Sequence, residues 1–305
     1  MRGAPLLTRR QAGLATIAAG AFCLPAAAAA SLTAADVVER LRQHRGETWR
    51  EGGLDGFVAG DPQVIVKGIA VTAMPDVPTL RRAVAQGCNM IVSVESPFYA
   101  RPYVVSGASA ASGPNQTVER LQADPTYAGK LAFIAQNRLA IYRLSDNLGT
   151  PGTHPLIEGI AQAMRWGAYR SPAGTGRFDI PRGSLAALSR SLKRRLGING
   201  GMRVIGQGDH SVSRVLVAPG RIDPVAIVKL LPEVDVLVAG DLREWELVEY
   251  FHDSWETNQP KALIAVGRIM SEQPGMLTAA SWLRSIANLP VRPISVEDPY
   301  WRLPA

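Results

Sequence analysis

The stretch V-D-V-L-V-A-G-D-L-R-E-W-E-L-V-E-Y-F-H-D-S-W, Val234 to Trp255, reads as a strand, a turn and a helix. Val234 to Val238 is short, apolar and β-branched, the composition of a parallel strand buried on both faces. Ala239-Gly240-Asp241 forms the turn, with glycine at the bend. From Arg243 the spacing becomes helical: Trp245, Val248, His252 and Trp255 share one side, and Glu246, Glu249, Asp253 and Glu256 share another. In open α/β sheets chemistry gathers beyond the carboxyl ends of strands, and this turn delivers carboxylates to such an end. A solvated acidic face on an amphipathic helix would give the same pattern.

The same alternation extends in both directions. Upstream, Thr33 is a candidate N-cap for a helix through His44. Val64–Ala73 reads as a strand, Pro75–Gln86 as a helix closed by Gly87, and Asn89–Val94 as a second strand ending at Glu95. Leu54–Gly60 reads as a turn-rich approach, and residues 100–123 as a loop with many small residues. Asp124-Pro125 opens a helix through Arg138, Leu139–Leu144 is a strand, and His154–Trp166 is helical. Ser171–Gly176, S-P-A-G-T-G, is the best linker candidate. Beyond it, strands are expected at Phe178–Ile180, Arg203–Ile205, Arg214–Val217, Ala262–Val266 and Val291–Val296, with helices at Ser184–Leu196, Pro224–Leu231 and Pro274–Ile286. Strands alternating with helices place the chain in the α/β or interleaved α+β class.

The first thirty residues are expected to be a targeting segment. Arg9-Arg10 precedes a weakly apolar run of 12 residues, Gly13 to Leu24, and Ala28-Ala29-Ala30 offers a cleavage site. The run is too short to span a bilayer, and the arginine pair resembles a twin-arginine signal. The expected location is therefore periplasmic or secreted. Removing thirty residues from 305 leaves 275, enough for one large or two modest domains. The segment holds three arginines and no acids, so the formal charge falls from +7 to +4. No basic run is interleaved with aromatics, which argues against nucleic acid, and no membrane span follows the signal. Cys88 then has no intrachain partner.

Generic catalytic templates are missing. No His/Cys cluster has zinc spacing, Gly206-Gln207-Gly208 lacks the rest of a dinucleotide fingerprint, and there is no G-x-S-x-G elbow. His44, His154, His210 and His252 each stand alone, with surface or capping roles as the default.

Five segments in order, G-F-V-A-G-D-P (56–62), V-K-G-I-A-V-T (66–72), I-V-S-V-E-S-P-F-Y (91–99), G-D-L-R-E-W-E-L-V-E-Y (240–250) and G-R-I-M-S-E-Q-P-G-M (267–276), resemble the Nif-three-like dinuclear metal-centre family, once named GTP cyclohydrolase I type 2. The resemblance implies an α/β protein of two domains, the smaller inserted into the larger: a main domain of 31–172 with 240–305, and a middle domain of 173–239. It also implies a hexameric ring and a cleft holding two metal ions. The ligand pattern departs from the family's. Where T-H-H-P or T-H-E-P ends a strand, this chain has Ser93-Val94-Glu95-Ser96; H-T-N-L-D appears as Ser145-Asp146-Asn147-Leu148-Gly149; the helical H-x-x-x-E reads Trp245-x-x-x-Glu249; and G-H-Y-x-[ST]-E reads Gly267-Arg268-Ile269-Met270-Ser271-Glu272. Every one of these histidines is substituted. The carboxylates Glu95, Asp146, Glu246 and Glu249 are the candidate metal ligands, with Arg268, Glu272 and Trp245 as cleft or charge-compensating residues.

Borderline transition metals favour imidazole with carboxylate. This set offers oxygen alone, suited to magnesium, calcium or manganese, unless Arg268 neutralises the carboxylates and no cofactor is held. Two functions follow: an exported, metal-depleted family member that binds a small molecule or assembles as a scaffold, or a metal-dependent hydrolase of a small phosphorylated or heterocyclic substrate.

Overall fold

The computed structural model describes residues 31–99, 122–150 and 154–300. The expected signal segment and most of the 100–123 loop lie outside the described residues. Two five-stranded sheets carry the fold. The first takes β1 (Gly56–Ala59), β2 (Ile69–Thr72), β3 (Met90–Ser93), β4 (Ala140–Arg143) and β10 (Val291–Pro293), in the order β1-β4-β3-β2-β10. Its strands pair in parallel, except β1, which runs antiparallel to β4. The second takes β5 (Arg177–Ser184), β6 (Arg203–Ile205), β7 (Ser211–Arg221), β8 (Val236–Asp241) and β9 (Ala262–Ala265), in the order β5-β7-β8-β9-β6. Here β7, β8 and β9 are parallel, and the edges β5 and β6 are antiparallel. The chain is thus α/β, as its alternating pattern suggests.

The central strands are short because each is buried on both faces, and their residues divide by parity. In β2 and β3, Ile69, Val71, Met90 and Val92 face a core shared with the helices α1 (Ala34–Arg45) and α9 (Gly275–Ala287). Ala70 and Ile91 face the opposite core, with Leu80 of α2 (Val77–Ala85) and Ile134 of α3 (Pro125–Gln136). In β8, Val236 and Val238 pack against residues of α4 (Pro155–Met164) and α5 (Leu185–Arg195), while Leu237 and Ala239 pack under α6 (Pro224–Val228) and α7 (Glu249–Glu256). Thr33 caps α1 reciprocally: its hydroxyl accepts from the Asp36 N–H, and the Asp36 carboxylate accepts from the Thr33 N–H.

Helices α4 and α9 meet at Gly159 and Gly275. A Cβ on Gly159 would lie 2.2 Å from the Gly275 nitrogen, so only hydrogen side chains allow this approach. The contact binds a helix that covers the first sheet to one that covers the second.

Several expectations change. The second sheet holds strands on both sides of residue 240: β8 crosses that position and β9 follows it. Within it β8 pairs in parallel with β7, and β9 in parallel with β8. Leu54–Gly60 contains a strand, β1. Val64–Ala73 is extended only in part: Ile65 bridges Thr33, and β2 starts at Ile69. A short helix, α8 (Arg268–Glu272), precedes α9. The helix after the central strand opens with a π-helical turn, Glu244–Val248, before α7. Its longer repeat shifts the phase, so Leu247, Phe251 and Ser254 turn inward and Trp245 is 71% exposed.

Candidate functional site

The carboxyl ends of β3, β4 and β7 line a cavity of about 790 Å³, with α8 as part of its wall. Beyond β3, Val94 and Glu95 continue the parallel ladder: their N–H groups donate to the Thr72 and Ala73 carbonyls, and the Ser93 hydroxyl donates to the Glu95 carbonyl. Glu95 is buried.

Beyond β4 the chain wraps around Asp55. The Ser145, Asp146 and Asn147 N–H groups and the Asn147 side-chain amide all donate to the Asp55 carboxylate, at 2.6 to 3.1 Å. Asn147 is fully buried; its amide also donates to the Arg50 carbonyl, and its oxygen accepts from the Arg50 N–H. Asp146 accepts from the Leu54 N–H at 2.6 Å. The lone charged residue in the apolar β4 run, Arg143, is buried and donates to the Val94 and Leu54 carbonyls.

From the second sheet comes Arg268. Its guanidinium donates to Glu95, lies 3.5 Å from Asp241 and is 3.4 Å from Glu272, which is buried one helical turn on. Two glycines admit this arrangement. Gly220, in the left-handed region at φ 68°, would place a Cβ 2.8 Å from the Glu272 carboxylate, and a Cβ on Gly240 would lie 2.4 Å from the Gly220 carbonyl. The Gly220 N–H donates to the Ser271 hydroxyl, which donates to the Arg268 carbonyl.

Of the expected site residues, Glu95, Asp146, Arg268 and Glu272 line this one cavity. Glu246, Glu249 and Trp245 do not: Glu246 pairs with Arg243 at 2.8 Å, Glu249 is exposed, and Trp245 stands outward beneath the Arg243 guanidinium. The π turn is the physical reason, since it rotates these side chains away from the strand end. Among the described residues no three His, Cys, Asp or Glu side chains converge as a metal-holding group. The donors present do not fit a pair of borderline metal ions: none of the expected ligands in this cavity is an imidazole, and Arg268 brings a positive charge directly against Glu95 and Glu272. Four arginines in the wall, Arg45, Arg50, Arg143 and Arg221, escape the sequence reading. Arg143 alone left a signal there, as a charge inside an apolar strand.

Arg268 also lines a second cavity of about 680 Å³, with Gly240, Asp241 and Val266 at the ends of β8 and β9 and Val296 to Tyr300 across it.

This architecture is shared with several solved structures. The Staphylococcus aureus protein SA1388 superposes with a TM-score of 0.62 at 16% identity, over 90% of this chain and 100% of that one. A Bacillus cereus protein related to NIF3 gives 0.63 at 14% identity, over 89% and 99%. The fold is that of the NIF3-related proteins. The protein ybgI, described as of unknown function, gives 0.61 at 18% identity, over 88% and 100%. No family model matches the chain, and no match to a curated protein reaches significance. Identities this low carry the NIF3-like fold to this chain and leave its chemistry to its own residues.

Proposed function

We propose that this chain is a divergent Nif-three-like protein, exported by the twin-arginine route, whose cleft binds a small molecule without a resident metal pair and whose subunits assemble into a ring. The observation that carries the reading is Arg268. It sits among Glu95, Asp241 and Glu272 and supplies the positive charge that buried carboxylates require. The ordered sequence motifs and the shared fold support the family assignment, and the substituted histidine positions support the loss of the metal pair.

The test uses the mature protein purified without added metal. Transition-metal content should be well below one ion per chain. Arg268→Ala should destabilise it by about 3–5 kcal/mol, the range for removing one partner of a buried ion pair, read by urea denaturation. About one or more bound transition-metal ions per chain would overturn the reading and return the metal-assisted hydrolase.

A further inference from the structure

We propose that the 790 Å³ cavity is a site for a small organic molecule bearing a phosphate or pyrophosphate group, held by Arg45, Arg50, Arg143 and Arg221. This deepens the small-molecule reading above and rests on it. Among the described residues, none of these four guanidinium groups has a carboxylate at ion-pair distance. Arg143 is buried and bonded only to carbonyl oxygens. Arg45 also donates to two carbonyls, of Gly149 and Thr48, and its Nε is buried with no acceptor. Burial, first, and the nearby Arg50 push the Arg45 guanidinium below its ordinary pKa, outweighing the opposing pull of the Asp55 carboxylate.

The same wall also carries four acids, Glu47, Glu95, Asp146 and Glu272. Glu95 and Glu272 flank Arg268, and Asp146 accepts from the Leu54 N–H. Five arginines against four carboxylates leave the wall with one positive charge in surplus. Planar guanidinium forks match phosphate oxygens bidentately. A volume of this size suits a small ligand, and Trp49, Leu148 and Leu156 offer apolar surface for its body. Arg45, Arg50 and Arg143 come from the first sheet and its flanking segments, while Arg221 ends β7 of the second. The phosphate would join charges from both.

Inorganic pyrophosphate is the probe, titrated calorimetrically into the full mature protein at physiological ionic strength. Saturable binding at one site per chain is expected. Arg50→Gln and Arg221→Gln alter exposed side chains and should each weaken it about tenfold, with unchanged melting temperature. Arg203→Gln should leave it unchanged, because Arg203 pairs with Glu244 outside this cavity. No binding at millimolar pyrophosphate, binding insensitive to both variants, or binding of succinate in place of pyrophosphate would each overturn the phosphate site. A metal-free protein destabilised by Arg268→Ala would still stand in those cases, so failure of this proposal is separable from failure of the broader one.

Discussion

Asp55 shows how one side chain can hold a functional loop in place. Its carboxylate collects four N–H donors from Ser145, Asp146 and Asn147, and so shapes the turn after β4 that presents Asp146 to the cavity. Hydrogen bonds to a charged group are each worth about 1.5–3 kcal/mol net. Asp55→Ala should therefore destabilise the protein by about 3 kcal/mol. Asp55→Asn, which keeps two acceptor lone pairs but adds donors facing N–H groups, should also destabilise; urea midpoints compare them. An Asp55→Ala protein as stable as the parent would refute this role. The segment 145–149 could be recognised in the sequence as a motif, yet its main task here, offering backbone N–H groups to Asp55, leaves no trace in side-chain identity. Glu95, Arg268 and Glu272 were legible as a group because the ordered motifs placed them on strand and helix ends. The cavity arginines were not, since Arg45 and Arg221 stand at the ends of a helix and a strand and Arg50 in a connecting segment, where a charged residue is ordinary and carries no signal.

Among the elements, the strands buried on both faces were the most legible. Continuous apolar runs such as Val236–Ala239 and Ala262–Ala265 have few other ways to be satisfied. The strand β1 was missed because its glycine-flanked sequence reads as a turn, and the π turn was missed because an extra residue per turn is invisible to a 3.6-residue template. The start of β8 is secured by Asp235. Burial pushes this carboxyl up, but the Arg214 side chain, together with the Ser213 and Arg214 N–H groups, outweighs that and holds it at about 2. Its folded-state pKa is thus below its unfolded value. The stability it contributes is fully present above about pH 4 and is lost as pH falls toward 2. Asp235→Asn should accordingly be less stable than the parent at pH 7, and the gap should narrow steadily between pH 4 and pH 2. Denaturation at several pH values measures it, and a gap that stays constant over this range would rule the linkage out.

At the scale of the whole molecule, two parallel-cored sheets, each covered by helices on both faces, are joined through the glycine contact of α4 and α9. No helix of the described residues is long and apolar enough to cross a membrane. The proposal of an exported, ring-forming protein makes a joint prediction. The processed chain recovered from the exported fraction should scatter light as a particle of several subunits, and changing Arg9 and Arg10 together to Lys should leave it unprocessed in the cell. A monomer at micromolar concentration would remove the ring, and normal export of the double variant would remove the twin-arginine route.

Arg268 has one flank in the 790 Å³ cavity and the other in the 680 Å³ cavity. A single side chain is thus a shared partition between two rooms. Whatever displaces it from one side alters the wall of the other, and thermodynamic reciprocity makes that influence equal in both directions. Two guests, one in each room, would therefore feel each other through one guanidinium without ever touching.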